Sequence, residues 1–132
     1  MNNRNEKEIL PVLARWHYTK EEWYSFEKWT KRRIGFFSYL FHRIIAGKRR
    51  IVPEITVTRE EVAINDLREP FHDTERAMKT ITIRDAGAMN VMEITYQQEN
   101  AISMREIHIP VPRGKLREAI ELQIELERVH LA

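Results

Sequence analysis

Five histidines, His17, His42, His72, His108 and His130, are the side chains of this sequence with the widest scope for proton transfer or metal binding near neutral pH. No two stand at an i, i+4 spacing, and none falls in a pattern such as H-E-x-x-H that would place two imidazoles on one helix face. His72-Asp73, flanked by Glu69 and Glu75, is the best candidate for an acid–base or weak metal pair, although its composition is first of all that of a solvated turn between strands. Ser25, Ser38 and Ser103 lack the G-x-S-x-G context of an activated serine. The chain has no cysteine, which excludes a thiolate nucleophile, a thiolate zinc site and a disulfide framework. Its glycines, at 35, 47, 87 and 114, never cluster, so no glycine-rich phosphate loop is available. Arg113-Gly114-Lys115 precedes a predicted helix and reads first as an ordinary cap with a basic flank, and second as a place where free amides and the helix dipole could hold an anion. Glu21-Glu22 and Glu60-Glu61 are sequence neighbours suited to dipole compensation and solvation, without the opposed geometry of catalytic carboxylates. These patterns predict no catalytic residue, no metal ligand and no cofactor, and hence a protein that is not an enzyme.

The strongest chemical signal is electrostatic. Residues 28–50 carry Lys28, Lys31, Arg32, Arg33, Arg43, Lys48, Arg49 and Arg50 and no acid. The whole chain is only +2, so the remainder is net acidic and the positive charge is local. Such a stretch suits an anionic surface. Lys28, Lys31, Arg32, Arg43, Lys48, Arg49 and Arg50 are the expected contacts to it. Interleaved with them are Trp29, Phe36, Phe37, Phe41, Ile44 and Ile45, more apolar groups than one face of a small domain needs, which predicts self-association through these residues, most simply as a dimer.

The elements that must carry these groups follow from periodicity. Val12–Tyr18 is rich in strand formers. Thr19-Lys20-Glu21-Glu22 is a capping box that should open a helix. At 100° per residue, Trp23, Phe26, Trp29, Ile34, Phe37, Phe41, Ile44 and Ile45 share one side, and Lys28, Lys31, Arg32 and Arg43 the other. The pattern predicts an amphipathic helix over 19–47, capped at Gly47, with a break near Gly35. Alternating segments then predict a hairpin at 54–58 and 61–66, an edge strand at 68–72 demoted by Pro70, and strands at 78–84, 88–97 and 102–111. Asp85-Ala86-Gly87 should form a tight loop with Gly87 at positive φ. Lys115–Val129 should be a final helix, with Leu116, Ala119, Ile120 and Ile124 on its buried stripe. Met78, Met89, Met92 and Met104 fall in the strands, as gap-filling core or as the wall of an adaptable pocket.

At 132 residues the chain should be one domain, 1–132, with a flexible tail at 1–11, the helix at 19–47, and a sheet closed by a helix at 53–130. The expected class is α+β: an antiparallel curled sheet or partly open barrel with a C-terminal capping helix and a long N-terminal amphipathic helix. Ile107-His108-Ile109-Pro110, the basic Arg113 and the helix after it resemble the end of bacterial pleckstrin-homology-like domains. The opening His17-Tyr18-Thr19-Lys20-Glu21-Glu22-Trp23 looks like the start of membrane-anchored members of that group, which place transmembrane helices where this chain has one amphipathic helix. The resemblance implies a non-enzymatic bacterial binding or interaction module, with no shared catalytic residues to carry over.

The expected function is therefore a module that self-associates or attaches to a surface through its basic amphipathic helix. Its partners would be a second copy, a membrane surface bound peripherally, or another protein. A nucleic-acid-binding role for 28–50 is the alternative, weakened because the aromatics mostly lie away from the charges, where they cannot stack on bases. A small enzyme with an unrecognised site is the second alternative. The N-terminus has no apolar signal-peptide core and Ile34–Gly47 is too short and polar to span a bilayer, so a cytoplasmic protein is expected, with attachment at the inner membrane as its peripheral form.

Overall fold

The computed structural model describes residues 11–32, 52–65, 67–72, 76–98 and 105–131. In chain order the elements are β1 (Ala14–Trp16), α1 (Lys20–Arg32), β2 (Ile55–Val57), β3 (Glu61–Ile64), β4 (Leu67–Pro70), β5 (Arg76–Asp85), β6 (Asn90–Gln98), β7 (Arg105–Val111) and α2 (Leu116–His130). They form an α+β fold with two antiparallel sheets, one of four strands ordered β1-β2-β3-β4 and one of three ordered β5-β6-β7.

Local chemistry sets the turns. The Thr58 hydroxyl accepts hydrogen bonds from the Glu60 and Glu61 amides, at 3.1 and 3.2 Å, and so shapes the β2–β3 turn. Asn65 takes φ 55° after β3, a left-handed conformation that asparagine tolerates, and its side chain accepts from the Glu54 amide at 3.2 Å. In the β5–β6 loop Gly87 adopts φ 92°, as expected, and donates its amide to Asp85 Oδ1 at 2.9 Å. The Thr19–Glu22 capping box forms in both directions, with bonds of 2.8 and 3.0 Å.

The core lies between the sheets. Trp16, Ile55, Val57, Val62 and Ile64 come from the first sheet, and Ile81, Met92, Ile94, Tyr96, Ile107 and Ile109 from the second. α2 ties the two together. Glu118 accepts from Trp16 Nε1 of β1 at 2.6 Å, Gln123 donates to the Ile81 carbonyl of β5 at 2.9 Å, and Glu125 pairs with Arg59 of the β2–β3 turn at 2.9 Å. α1 lies along β7 and runs against it: Glu22 reaches Arg113, and Trp29, further along the helix, meets His108, nearer the start of the strand.

Two expectations change, on the sheet and on the last helix. The sheet is not a single curled sheet or barrel. β4 is short, ends in Pro70, which has no amide to donate, and among the described residues pairs only with β3, so the ladder does not continue to β5. Of the helix predicted over 19–47, Lys20–Arg32 is described, 13 residues, and the rest lies outside the described residues. The buried stripe of α2 is Ala119, Leu122 and Leu126. Leu116, Ile120 and Ile124 are exposed, at 43%, 43% and 60%. α2 carries apolar residues on most of its circumference, so periodicity alone left its inward side ambiguous. Of the methionines, Met78 and Met92 are gap-filling core, Met89 lines a shallow surface pocket with Val111 and Leu116, and Met104 lies outside the described residues.

Phe26 of α1 is fully buried among Trp23 and Trp29, with ring centroids 5.1 and 6.2 Å away. Phe26→Ala should destabilise the fold by about 3–5 kcal/mol, read as a lower midpoint of urea unfolding with little change in slope.

Candidate functional site

β6 is the central strand of the second sheet and is buried on both faces. Val91, Met92, Ile94 and Tyr96 are all inaccessible. Glu93 lies in the same run and is only 5% exposed. Register places it opposite His108 of β7, itself 2% exposed, on the face away from the main core. A carboxylate so placed costs several kcal/mol unless its oxygens are paired.

The pairing comes from both neighbouring strands. Arg84 of β5 donates to Glu93 Oε1 from Nη2 at 2.6 Å and from Nε at 3.2 Å. His108 Nε2 lies 3.2 Å from Glu93 Oε2 and 3.3 Å from Glu106 Oε1, so two carboxylates converge on one ring nitrogen. With acceptors on two sides, Nε2 is the protonated, donating nitrogen. Trp29 of α1 meets the His108 ring edge-on at 5.1 Å and covers the buried end of the cluster. Arg84 and Glu106 are half-exposed and carry it out to solvent.

Burial alone would raise the Glu93 carboxyl, but hydrogen bonds from Arg84 and His108, and their charges, outweigh it and hold the group below its ordinary range. The hydrogen bond and charge of Glu93 push Arg84 upward in turn, so its guanidinium stays charged. The arrangement is a fixed ion network with one exchangeable position, the space between Glu93 Oε2, Glu106 Oε1 and His108 Nε2. Those three residues are the ones among the described residues that could hold a metal ion.

The residues singled out from the sequence fall elsewhere. Lys28 is exposed and its ammonium sits 5.5 Å from the Tyr24 ring centroid. Lys31 and Arg32 lie in the last turn of α1, and Trp29 is partly buried against its own core. Arg43, Lys48, Arg49, Arg50, Phe36, Phe37, Phe41, Ile44 and Ile45 lie outside the described residues. At Arg113-Gly114-Lys115, before α2, the Arg113 amide donates to Glu22 Oε2 at 2.7 Å, so a carboxylate of the chain takes one of the amides that an anion would use. There too burial raises the Glu22 carboxyl, but the hydrogen bonds from the Thr19 and Arg113 amides and from the Thr19 hydroxyl, with the Arg113 charge, hold it below its ordinary value. His72 is exposed, and Asp73 is outside the described residues.

Spacing along the chain could not reveal the Glu93–His108 cluster, because its members are 15 residues apart and meet only through strand register. One signal was present: Glu93 is a lone charge in the run Val91-Met92-Glu93-Ile94-Thr95-Tyr96, whose apolar residues point to both faces and so announce a buried acid in need of a partner. No family model, curated protein or solved structure matches this chain.

Because the folded-state carboxyl of Glu93 lies below its unfolded value of 4.5, its stabilising effect is complete above that pH and is lost as pH falls through the lowered value. Glu93→Gln should lower stability at neutral pH by about 1–3 kcal/mol and flatten, without abolishing, the loss of stability below about pH 4.5. Urea unfolding from pH 7 to pH 3 checks both.

Proposed function

We propose that this protein is a non-enzymatic binding module of the bacterial pleckstrin-homology-like type, which attaches to an anionic surface through the basic segment that opens at Lys28. The observation that carries the reading is the orientation of α1. Trp23 and Phe26 are buried in the chain's own core while Lys28 stands exposed, so the cationic side of the amphipathic pattern faces solvent where the acid-free segment begins. Over 23–26 the apolar side is spent on the fold, which leaves charge as the means of attachment there. The order of elements, antiparallel strands closed by one C-terminal helix, supports the family reading. An anionic lipid headgroup layer fits better than nucleic acid, since Trp23 and Phe26 are buried and Trp29 packs on His108, which leaves Tyr24 as the one exposed aromatic over 23–29 where stacking on bases would need several. No helix among the described residues is long and apolar enough to cross a membrane. The apolar residues at 36–45 would serve self-association or shallow insertion into the same surface.

The test is co-sedimentation with anionic and with neutral vesicles. Binding should occur only to the anionic ones and fade as salt rises. Replacing Lys28, Lys31 and Arg32 together by glutamate should weaken it by about 3 kcal/mol or more, at about 1 kcal/mol for each charge near the leaflet. Folded protein that ignores anionic vesicles at low salt would refute the surface reading.

A further inference from the structure

The second sheet carries a constellation that the surface-binding role does not use. Glu93 Oε2, Glu106 Oε1 and His108 Nε2 lie within 4.8 Å of one another, on two adjacent strands. The geometry points to a binding site for a divalent transition-metal ion of the zinc type, held by Glu93, Glu106 and His108.

Three observations carry this. The first is spacing. Two ligand atoms each about 2.0–2.2 Å from a zinc ion, subtending a tetrahedral angle, stand about 3.4 Å apart. His108 Nε2 stands 3.2 Å from one carboxylate oxygen and 3.3 Å from the other, close to that separation, and the two oxygens lie within 4.8 Å of each other. The second is rigidity. Glu93 and His108 are almost wholly buried on paired strands, Arg84 holds the far oxygen of Glu93, and Trp29 packs on the His108 ring. These contacts orient the ligands from behind, as supporting groups do in metal sites. The third is donor type and access. One imidazole with two carboxylates suits zinc and its first-row neighbours, whereas calcium wants six to eight oxygens. Glu106 is 38% exposed and gives an ion a way in from solvent.

An entering ion displaces the proton on Nε2, which leaves to solvent, and takes over its two carboxylate contacts. Three protein ligands leave further positions to water.

The full chain, stripped with a chelator, would be titrated with zinc chloride by calorimetry, with unfolding temperature measured in parallel. One tight zinc per chain is expected, together with a rise in unfolding temperature. Glu106→Gln, at a half-exposed position that should leave the fold intact, is expected to weaken binding at least about tenfold. His17→Ala removes the surface histidine 3.4 Å from Glu54 and should leave this binding unchanged. Millimolar calcium should not displace the zinc. Absence of zinc binding to the folded chain, equal affinity in Glu106→Gln, loss of binding in His17→Ala, or displacement by calcium would each overturn the assignment. Vesicle binding does not enter these readouts, so they stand or fall apart from the surface-binding role.

Discussion

A buried carboxylate on a central strand must be answered by its neighbours, and much of the second sheet is arranged to answer Glu93. The strand pairing that puts His108 opposite it and Arg84 diagonal to it also aligns Met92, Ile94, Ile107 and Ile109 on the other face, where the main core forms. A shift of one residue in either register would turn the ion network toward the core and the isoleucines toward α1. The network and the core therefore enforce the same alignment from opposite faces. An ion pair of this kind adds little net stability compared with an apolar replacement, but it penalises wrong pairings heavily, because a misregistered Glu93 would be buried without its partners.

The two helices meet this sheet at opposite edge strands, α1 at β7 and α2 at β5. α2 supplies Ala119, Leu122 and Leu126 to the core and hydrogen-bonds to β1 and β5, which joins two sheets that strand pairing alone does not connect among the described residues. α1 brings a run of tilted aromatic contacts, Tyr18 to Trp23 at 5.4 Å and Trp23 to Phe26 at 5.1 Å, that ends with Trp29 on His108. Tyr18 also donates to the Pro110 carbonyl at 2.7 Å, and burial with the nearby Glu22 charge raises its phenol well above the ordinary range, so it remains a donor. The start of the basic segment is thereby anchored to the same strand that carries the histidine.

Local order was readable because local chemistry produces it. The Thr19–Glu22 capping box, the positive φ at Gly87, the strand of Ile107, Ile109 and Val111 and the final helix all follow from neighbouring residues and short periods. The acid-free charge of 28–50 is likewise a property of composition, and it directs attention to an anionic surface without reference to any fold. The inward side of α2 was not readable, since Leu116, Ile120 and Ile124 are as apolar as Leu122 and Leu126 and only contact with the sheets chooses between them.

The sequence by itself determined which segments are strands and helices, where the turns lie, that no thiol chemistry is available, and that positive charge is concentrated in one stretch. The tertiary structure decided that the strands divide into two sheets, which side of α2 is buried, and that Glu93, Glu106, His108 and Arg84 form one cluster. The physical reason is range. Capping and alternation act over about two to four residues. The cluster depends on strand register, and register is settled only when every side chain of two neighbouring strands is packed at once.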